Sequence, residues 1–275
     1  MATPSIGVFD SGIGGLTVVK ELFASVPNAR IVYFGDTARV PYGTKSVSTV
    51  RRYTEEDTDL LLQHHVSLIV VACNTVSAVA LDVAKRLAGK IPVIGMIEPA
   101  AAEAVRTTRN GKIGIIGTQA TIASKAYEEA ISSAAQATGK TVSTYSQACP
   151  LFVPLAEEGW QDHEVAALAT KEYLAPIVRE GIDTLILGCT HYPVLANVIQ
   201  RVVGNDVQLI NSGAVAAKQV QSADFGSTKD VPEHLFMVSD LPSRFRNVGE
   251  NFLGRPLPTM HEVVFKEAWV LNKQA

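Results

Sequence analysis

Two of the three cysteines in this chain sit in matching surroundings. Cys73 follows the apolar run Val66 to Val71 and precedes Asn74 and Thr75; Cys189 follows Ile182 to Leu187 and precedes Thr190 and His191. Two thiols placed alike in two halves of one chain can work on one carbon from opposite faces. One removes a proton and the other delivers one, which inverts a stereocentre. A thiol of pKa about 8.5 is only about 3% thiolate at pH 7, and raising that to half needs roughly 1.5 pK units, or about 2 kcal/mol. A helix N-terminus directly after each cysteine supplies part of this, and His191 can assist Cys189. A carboxylate such as Asp10 instead opposes thiolate formation; it can take the thiol proton or hold a substrate ammonium.

A lone cysteine at a strand end is ordinarily inert packing. The polar residues behind Cys73 and Cys189 set those two apart, whereas Cys149, beside Pro150 and Leu151, keeps the packing role. His64 and His65 read as a solvated helix end. Long cysteine spacings with no CxxC argue against a disulfide framework and a thioredoxin-like motif. Cys189 and His191 are too close for zinc-ligand spacing, and no HxxxH accompanies them, so no metal is expected. Val79 stands where a cysteine phosphatase loop needs Arg, and there is no G-x-S-x-G.

The elements that must position these residues read as α/β. Ile6 to Asp10 is a buried strand, Ser11 to Gly15 a glycine-rich turn, and Leu16 to Ala24 an amphipathic helix. The turn can serve an anion at a helix N-terminus or simply join strand to helix. Thr17 in place of a third glycine breaks the dinucleotide fingerprint, and no Gly-Lys-Ser/Thr completes a phosphate loop. Arg30 to Phe34 is a second strand, followed by a loop in which Tyr42 offers an aromatic face with a polar tip. Ser46 caps a helix to His64. Val66 to Val71 is a central strand, Thr75 to Leu87 a helix, and Ile91 to Ile97 a strand ended by Glu98-Pro99 before an alanine-rich helix.

A similar order then restarts. Lys112 to Gly117 resembles the opening strand, with Thr118 to Thr121 in the turn position. A helix over Ser124 to Ala137, a strand around Thr141 to Tyr145, the loop Cys149 to Glu157 and a helix over Asp162 to Arg179 lead to Ile182 to Leu187. The helix Val194 to Val203, the strand Val207 to Ile210, another helix, a flexible loop at Gly226 to Pro232, the strand Leu235 to Val238, the helix Arg244 to Leu253 and a strand at His261 to Phe265 complete the chain. In open parallel sheets ligands bind beyond the carboxyl ends of the strands. Asp10, Ser11, Cys73, Asn74, Thr75, Thr118, Cys189, Thr190 and His191 all fall there.

With 47% hydrophobic residues, 19% charged residues and a net charge of −3, the 275-residue chain reads as globular, with no electrostatic case for nucleic acid or an anionic membrane. No apolar run reaches the roughly 18 residues of a membrane span, and no signal core follows Met1, so a cytoplasmic protein is expected.

At these residues the chain resembles glutamate racemase, within the cofactor-independent aspartate/glutamate racemase superfamily. The matching stretches are VFDSGIGGL (Val8 to Leu16), YFGDTARVPYG (Tyr33 to Gly43), ACNT (Ala72 to Thr75), ACPLFVPL (Ala148 to Leu155) and LGCTHYP (Leu187 to Pro193). The resemblance implies two pseudo-symmetric three-layer α/β domains with mainly parallel sheets and the active site in the cleft between them. We expect residues 1–97 plus 208–275 to form the first lobe and 98–207 the second. It further implies that Cys73 and Cys189 are the acid/base thiols, acting on the D- and L-enantiomer respectively. Asp10, Ser11, Tyr42, Gly43, Asn74, Thr75, Thr190 and His191 are the implied substrate-binding residues, with Asp10, His191 and Glu157 as auxiliary polar groups. The implied substrate is glutamate, handled without cofactor by a homodimer that supplies D-glutamate for peptidoglycan. Aspartate racemase, a related two-cysteine isomerase and a non-catalytic regulator on this scaffold are the alternatives; His191-Tyr192-Pro193 after Cys189-Thr190 favours the glutamate branch.

Overall fold

The computed structural model of the chain describes residues 5–222, 233–240 and 245–265. Continuous apolar runs form its central strands, as expected of sheets covered on both faces. The first half runs β1 (Ser5–Asp10), α1 (Leu16–Ser25), β2 (Arg30–Gly35), α2 (Val47–Gln63), β3 (Leu68–Val71), α3 (Asn74–Val79), α4 (Leu81–Ala88) and β4 (Val93–Ile94). The second runs α5 (Ile97–Thr107), β5 (Lys112–Gly117), α6 (Gln119–Ala123), α7 (Ala126–Thr138), β6 (Ser143–Ala148), α8 (Phe152–Glu157), α9 (Glu164–Arg179), β7 (Thr184–Gly188), α10 (Ala196–Val203), β8 (Gln208–Asn211) and α11 (Ser212–Ser222). Last come β9 (Leu235–Val238), α12 (Phe245–Leu253) and β10 (Met260–Glu262).

The strands form two parallel sheets, in the orders β10-β9-β2-β1-β3-β4 and β6-β5-β7-β8. The order β2-β1-β3-β4 of the first recurs as β6-β5-β7-β8 in the second, the restart that the sequence showed at Lys112. β8 departs from the expected lobe boundary. The expected first lobe includes residues 208–211, yet β8 is hydrogen-bonded to β7 and extends the second sheet.

One buried cluster joins the sheets, running from Ile6, Leu16 and Tyr33 to Leu185, Leu187 and Val198. A second fills the other face of the first sheet around Phe9, Phe34 and Val71, and a third that of the second sheet around Ile113, Ile115 and Tyr127. Among the described residues no helix is long and apolar enough to cross a membrane.

Several elements are shorter or more broken than the patterns predict. The helix expected over Thr75 to Leu87 is two, divided at Ala80, and Arg51 takes the Val79 carbonyl near the break at 3.2 Å. The strand expected to reach Ile97 stops at Ile94. Pro99 does not end anything: it lies in the first turn of α5, where its missing N–H costs no helical bond. Thr118 does not head a loop but caps α6, accepting from the Thr121 N–H. Lys125, in the left-handed region at φ 57°, then redirects the chain into α7. Part of the Cys149 to Glu157 loop is the helix α8. The expected loop at Gly226 to Pro232 lies outside the described residues.

Gly188 ends β7 one residue before Cys189 and pairs with Gly117. A Cβ there would stand 2.5 Å from the Ile116 carbonyl oxygen and 3.0 Å from the Tyr127 ring. Backbone cannot yield as a side chain can, so Gly188→Ala is expected to cost about 1–3 kcal/mol. A thermal melt should show Tm several degrees below the parent; an unchanged Tm would contradict this packing.

Candidate active site

Both thiols open onto one cavity of about 310 Å³ between the carboxyl ends of the two sheets. The first sheet contributes Ser11, Tyr42, Gly43, Cys73, Asn74 and Thr75; the second contributes Glu157, Cys189, Thr190 and His191. Every site residue named from sequence therefore lines the cavity except Asp10. Thr118 and Gln119, from the start of α6, line it as well.

The two thiols have unlike neighbours. Cys73 caps α3, and its Sγ lies 3.5 Å from the Ser11 hydroxyl oxygen. Burial pushes its thiol up to about 12, and the Asp10 carboxylate pushes the same way. The Val76 N–H and the Ser11 hydroxyl oppose this and are outweighed. The helix N-terminus expected to supply part of a thiolate's stabilisation does lower the pKa here, through the Val76 N–H, but burial of the sulfur outweighs it. Cys73 holds its proton.

Cys189 faces an imidazole instead. Its Sγ is 3.9 Å from Nδ1 of His191, whose Nε2 is 2.8 Å from Oε1 of Glu157. Burial alone would discharge the imidazole, but the sulfur and the carboxylate together outweigh it and lift the ring to about 10. His191 is accordingly a cation at neutral pH. Cys149 is buried, lines no part of the cavity, and its thiol is raised by burial; its packing role holds.

Asp10 stands behind the cavity wall, fully buried. Its Oδ2 accepts the N–H groups of Gly12 and Gly15 at 3.1 and 2.9 Å, while Oδ1 has no partner. Burial raises this carboxyl, with the His191 charge and the turn N–H groups pulling it back. The glycine-rich turn therefore spends these two donors on its own aspartate and not on an external anion. Gly14 lacks a side chain for a different reason: a Cβ would collide with the Thr190 hydroxyl and the His191 ring. The same contact is fastened by Thr17, whose hydroxyl donates to the Thr190 carbonyl at 2.8 Å.

Tyr42 differs from its sequence reading. Its hydroxyl is turned onto two buried carboxylates, bonding Asp36 and also Asp57 at 3.1 Å. Arg39 clamps both, with Nε 2.6 Å from Asp36 and Nη2 3.0 Å from Asp57. Burial, and then the Asp36 charge, hold the Asp57 carboxyl well above its usual range. What Tyr42 and Gly43 can present to the cavity is ring and backbone, on a loop anchored from beneath. Thr75 meets the Thr118 hydroxyl at 3.0 Å, so the two sheets touch here too. Sequence reasoning missed Asp57, Tyr127 and Ser212, which lie under the wall and belong to no motif; only a contact map reveals them.

A strand-end cavity with two unlike thiols and no lysine in its lining fits proton transfer between thiols better than Schiff-base chemistry. The profile of the Asp/Glu/Hydantoin racemase family matches residues 6–220. The chain belongs to this family. It is 53% identical over 264 residues to the glutamate racemase of Chlorobaculum tepidum, covering 94% of this chain and 95% of that one. The glutamate racemase of Geobacter metallireducens is 47% identical over 268 residues, covering 96% and 97%. Among solved structures, the glutamate racemase of Francisella tularensis in complex with D-glutamate superposes with a TM-score of 0.88 at 40% identity, covering 95% of this chain and 97% of that one.

The charged state of His191 has a direct readout. Because its folded pKa lies above 6.5, the stability it contributes is fully present below about 6.5 and is lost as pH rises through about 10. Proton NMR should show one histidine ring titrating near 10, and Glu157→Gln should move that midpoint down. A His191 ring titrating near 6.5 in the parent would contradict the Cys189–His191–Glu157 arrangement.

Proposed function

We propose that this chain interconverts L- and D-glutamate without a cofactor, by proton transfer at Cα between two thiols. The observation that carries the reading is the pair of unlike sulfurs facing one cavity, one retaining its proton and the other beside an imidazolium. The family resemblance supplies the substrate and the handedness: Cys189 serves the L-enantiomer and Cys73 the D-enantiomer.

Starting from L-glutamate, the sulfur of Cys189, in its thiolate form beside the His191 cation, takes the α-proton. The electron pair left on Cα spreads into the α-carboxylate. Cys73 then gives its S–H proton to the opposite face, releasing D-glutamate and leaving its own sulfur negative. The reverse reaction begins from that state with the roles exchanged. His191 balances charge at Cys189 and is itself oriented by Glu157; Ser11 is the hydroxyl within reach of the Cys73 sulfur. Asp10 fixes the turn that carries Ser11. Asn74, Thr75 and Thr190, with the backbone of Tyr42 and Gly43, hold the substrate's charged groups by preorganised dipoles, which are strong in a site with little water. In such a site a carbanion can form without a metal or a ring cofactor to absorb it.

Three companion proposals follow from the resemblance. The first lobe comprises residues 1–97 plus 208–275 and the second 98–207, save that the strand 208–211 pairs with the second sheet. The protein acts as a homodimer in the cytoplasm. Its D-glutamate feeds peptidoglycan synthesis.

Purified protein incubated separately with L- and D-glutamate should bring the circular dichroism of both solutions to zero, with no additive. D- and L-aspartate run in parallel should change far more slowly. Cys73→Ala and Cys189→Ala should each lower turnover by at least about a thousandfold, since loss of a general acid or base costs about 10²–10⁴ and both steps need one. Comparable turnover of aspartate would move the assignment to the aspartate branch. Retention of near-parental turnover in both directions by either variant would overturn the two-thiol reading.

A further inference from the structure

Beneath Asn74 lies a chain of hydrogen bonds that no motif announces. Ser212, at the start of α11, has its Oγ 3.2 Å from the Leu187 carbonyl oxygen. A carbonyl can only accept, so the Ser212 hydroxyl donates there and has only lone pairs left for another partner. That partner is Nδ2 of Asn74 at 3.4 Å, which must donate. The side-chain amide is thereby set in one of its two flips, with Oδ1 pointing the other way, and Oδ1 receives the Tyr127 hydroxyl at 2.6 Å. Burial keeps the Tyr127 phenol protonated, so it is a donor at every working pH. All three side chains are buried. The direction of the chain follows once the Ser212 proton is on the backbone carbonyl of Leu187, with the Tyr127 hydroxyl, which Ser212 also meets, donating to Asn74.

We infer that Tyr127 and Ser212 are positioning residues which lock the Asn74 amide, so that its remaining N–H is the group it offers the cavity and an anionic group of the substrate is what it receives. The inference deepens the functional reading above and rests on it. Asn74 directly follows Cys73, while Leu187 lies two residues before Cys189. Tyr127 packs its ring edge against Gly188, where a Cβ would stand 3.0 Å away. One buried chain therefore sets the polar face of Asn74 relative to both thiols. With the amide free to flip, its carbonyl oxygen would face the same substrate anion half the time and repel it.

Tyr127→Phe removes one hydroxyl and leaves the ring's packing. It is expected to weaken D-glutamate binding, measured by titration calorimetry, about tenfold and to raise KM for both enantiomers by a similar factor, with a smaller change in kcat. Ser212→Ala should act in the same direction, by about threefold. The decisive comparison is made in an Asn74→Ala background. There Tyr127→Phe should change Kd by less than about twofold, because the group it positions is gone. A thermal melt of each variant separates this from loss of fold, since a merely structural role lowers Tm and leaves the Kd of the folded protein in place. Unchanged Kd in folded Tyr127→Phe, or full multiplication of the two losses in the double variant, would overturn the inference. Failure of the parent protein to bind or racemise glutamate would overturn the functional reading instead, so the two failures are distinguishable.

Discussion

Two ionisable thiols buried around one small cavity cannot both give up their protons freely. Each is held away from water, and each sulfur's charge would raise the cost of the other's. The structure resolves this by giving them different company. Cys73 is buried beside a buried carboxylate, and together burial and that charge outweigh the Ser11 hydroxyl and leave it a thiol pushed up to about 12. Cys189 is placed beside an imidazole that the Glu157 carboxylate helps to keep charged. The two sulfurs therefore stand in different electrostatic surroundings on one cavity.

The fold serves this distribution by repetition with one change of detail. Two sheets share the strand order that puts a cysteine just past the central strand, so the two sulfurs reach the cavity by equivalent routes. What differs is the residue two places on. Thr75 follows Cys73 at that spacing and meets Thr118, whereas His191 follows Cys189 and meets Glu157. At the cavity the halves come closest at Gly14 against Thr190 and at Gly43 against Thr118, so close approach there depends on missing Cβ atoms as much as on bonds. The Asp36, Asp57 and Arg39 cluster under Tyr42 is a second buried arrangement of this type, one that stiffens a wall of the cavity and leaves its interior free.

What could be read from the chain in advance was what strand periodicity and strand ends determine. The apolar runs at Val66 to Val71 and Ile182 to Leu187 are central strands, and the polar residues after them line the cavity. The restart at Lys112 marked the second sheet. Legibility failed where tertiary contacts chose between local alternatives. Nothing in Thr75 to Leu87 announces the break at Ala80, and β8, with two polar ends, could not be placed by pattern. Proton affinities were the least legible. A helix N-terminus after a cysteine suggests a thiolate, but burial is the stronger influence at Cys73, and burial is a property of the folded chain. Tyr127 and Ser212 show the same limit, since their roles exist only where three distant segments meet.

The central claim is that two thiols on opposite faces exchange protons with Cα, one as base and one as acid. Initial-rate racemisation of L-glutamate in deuterium oxide, followed by mass spectrometry of the separated enantiomers, tests it most directly. The D-glutamate formed should carry deuterium at Cα from the first turnovers, because Cys73 delivers a solvent-derived deuteron, while recovered L-glutamate should remain protonated. Deuterium entering recovered L-glutamate as fast as D-glutamate is formed would mean that a single group serves both faces, and would contradict the account.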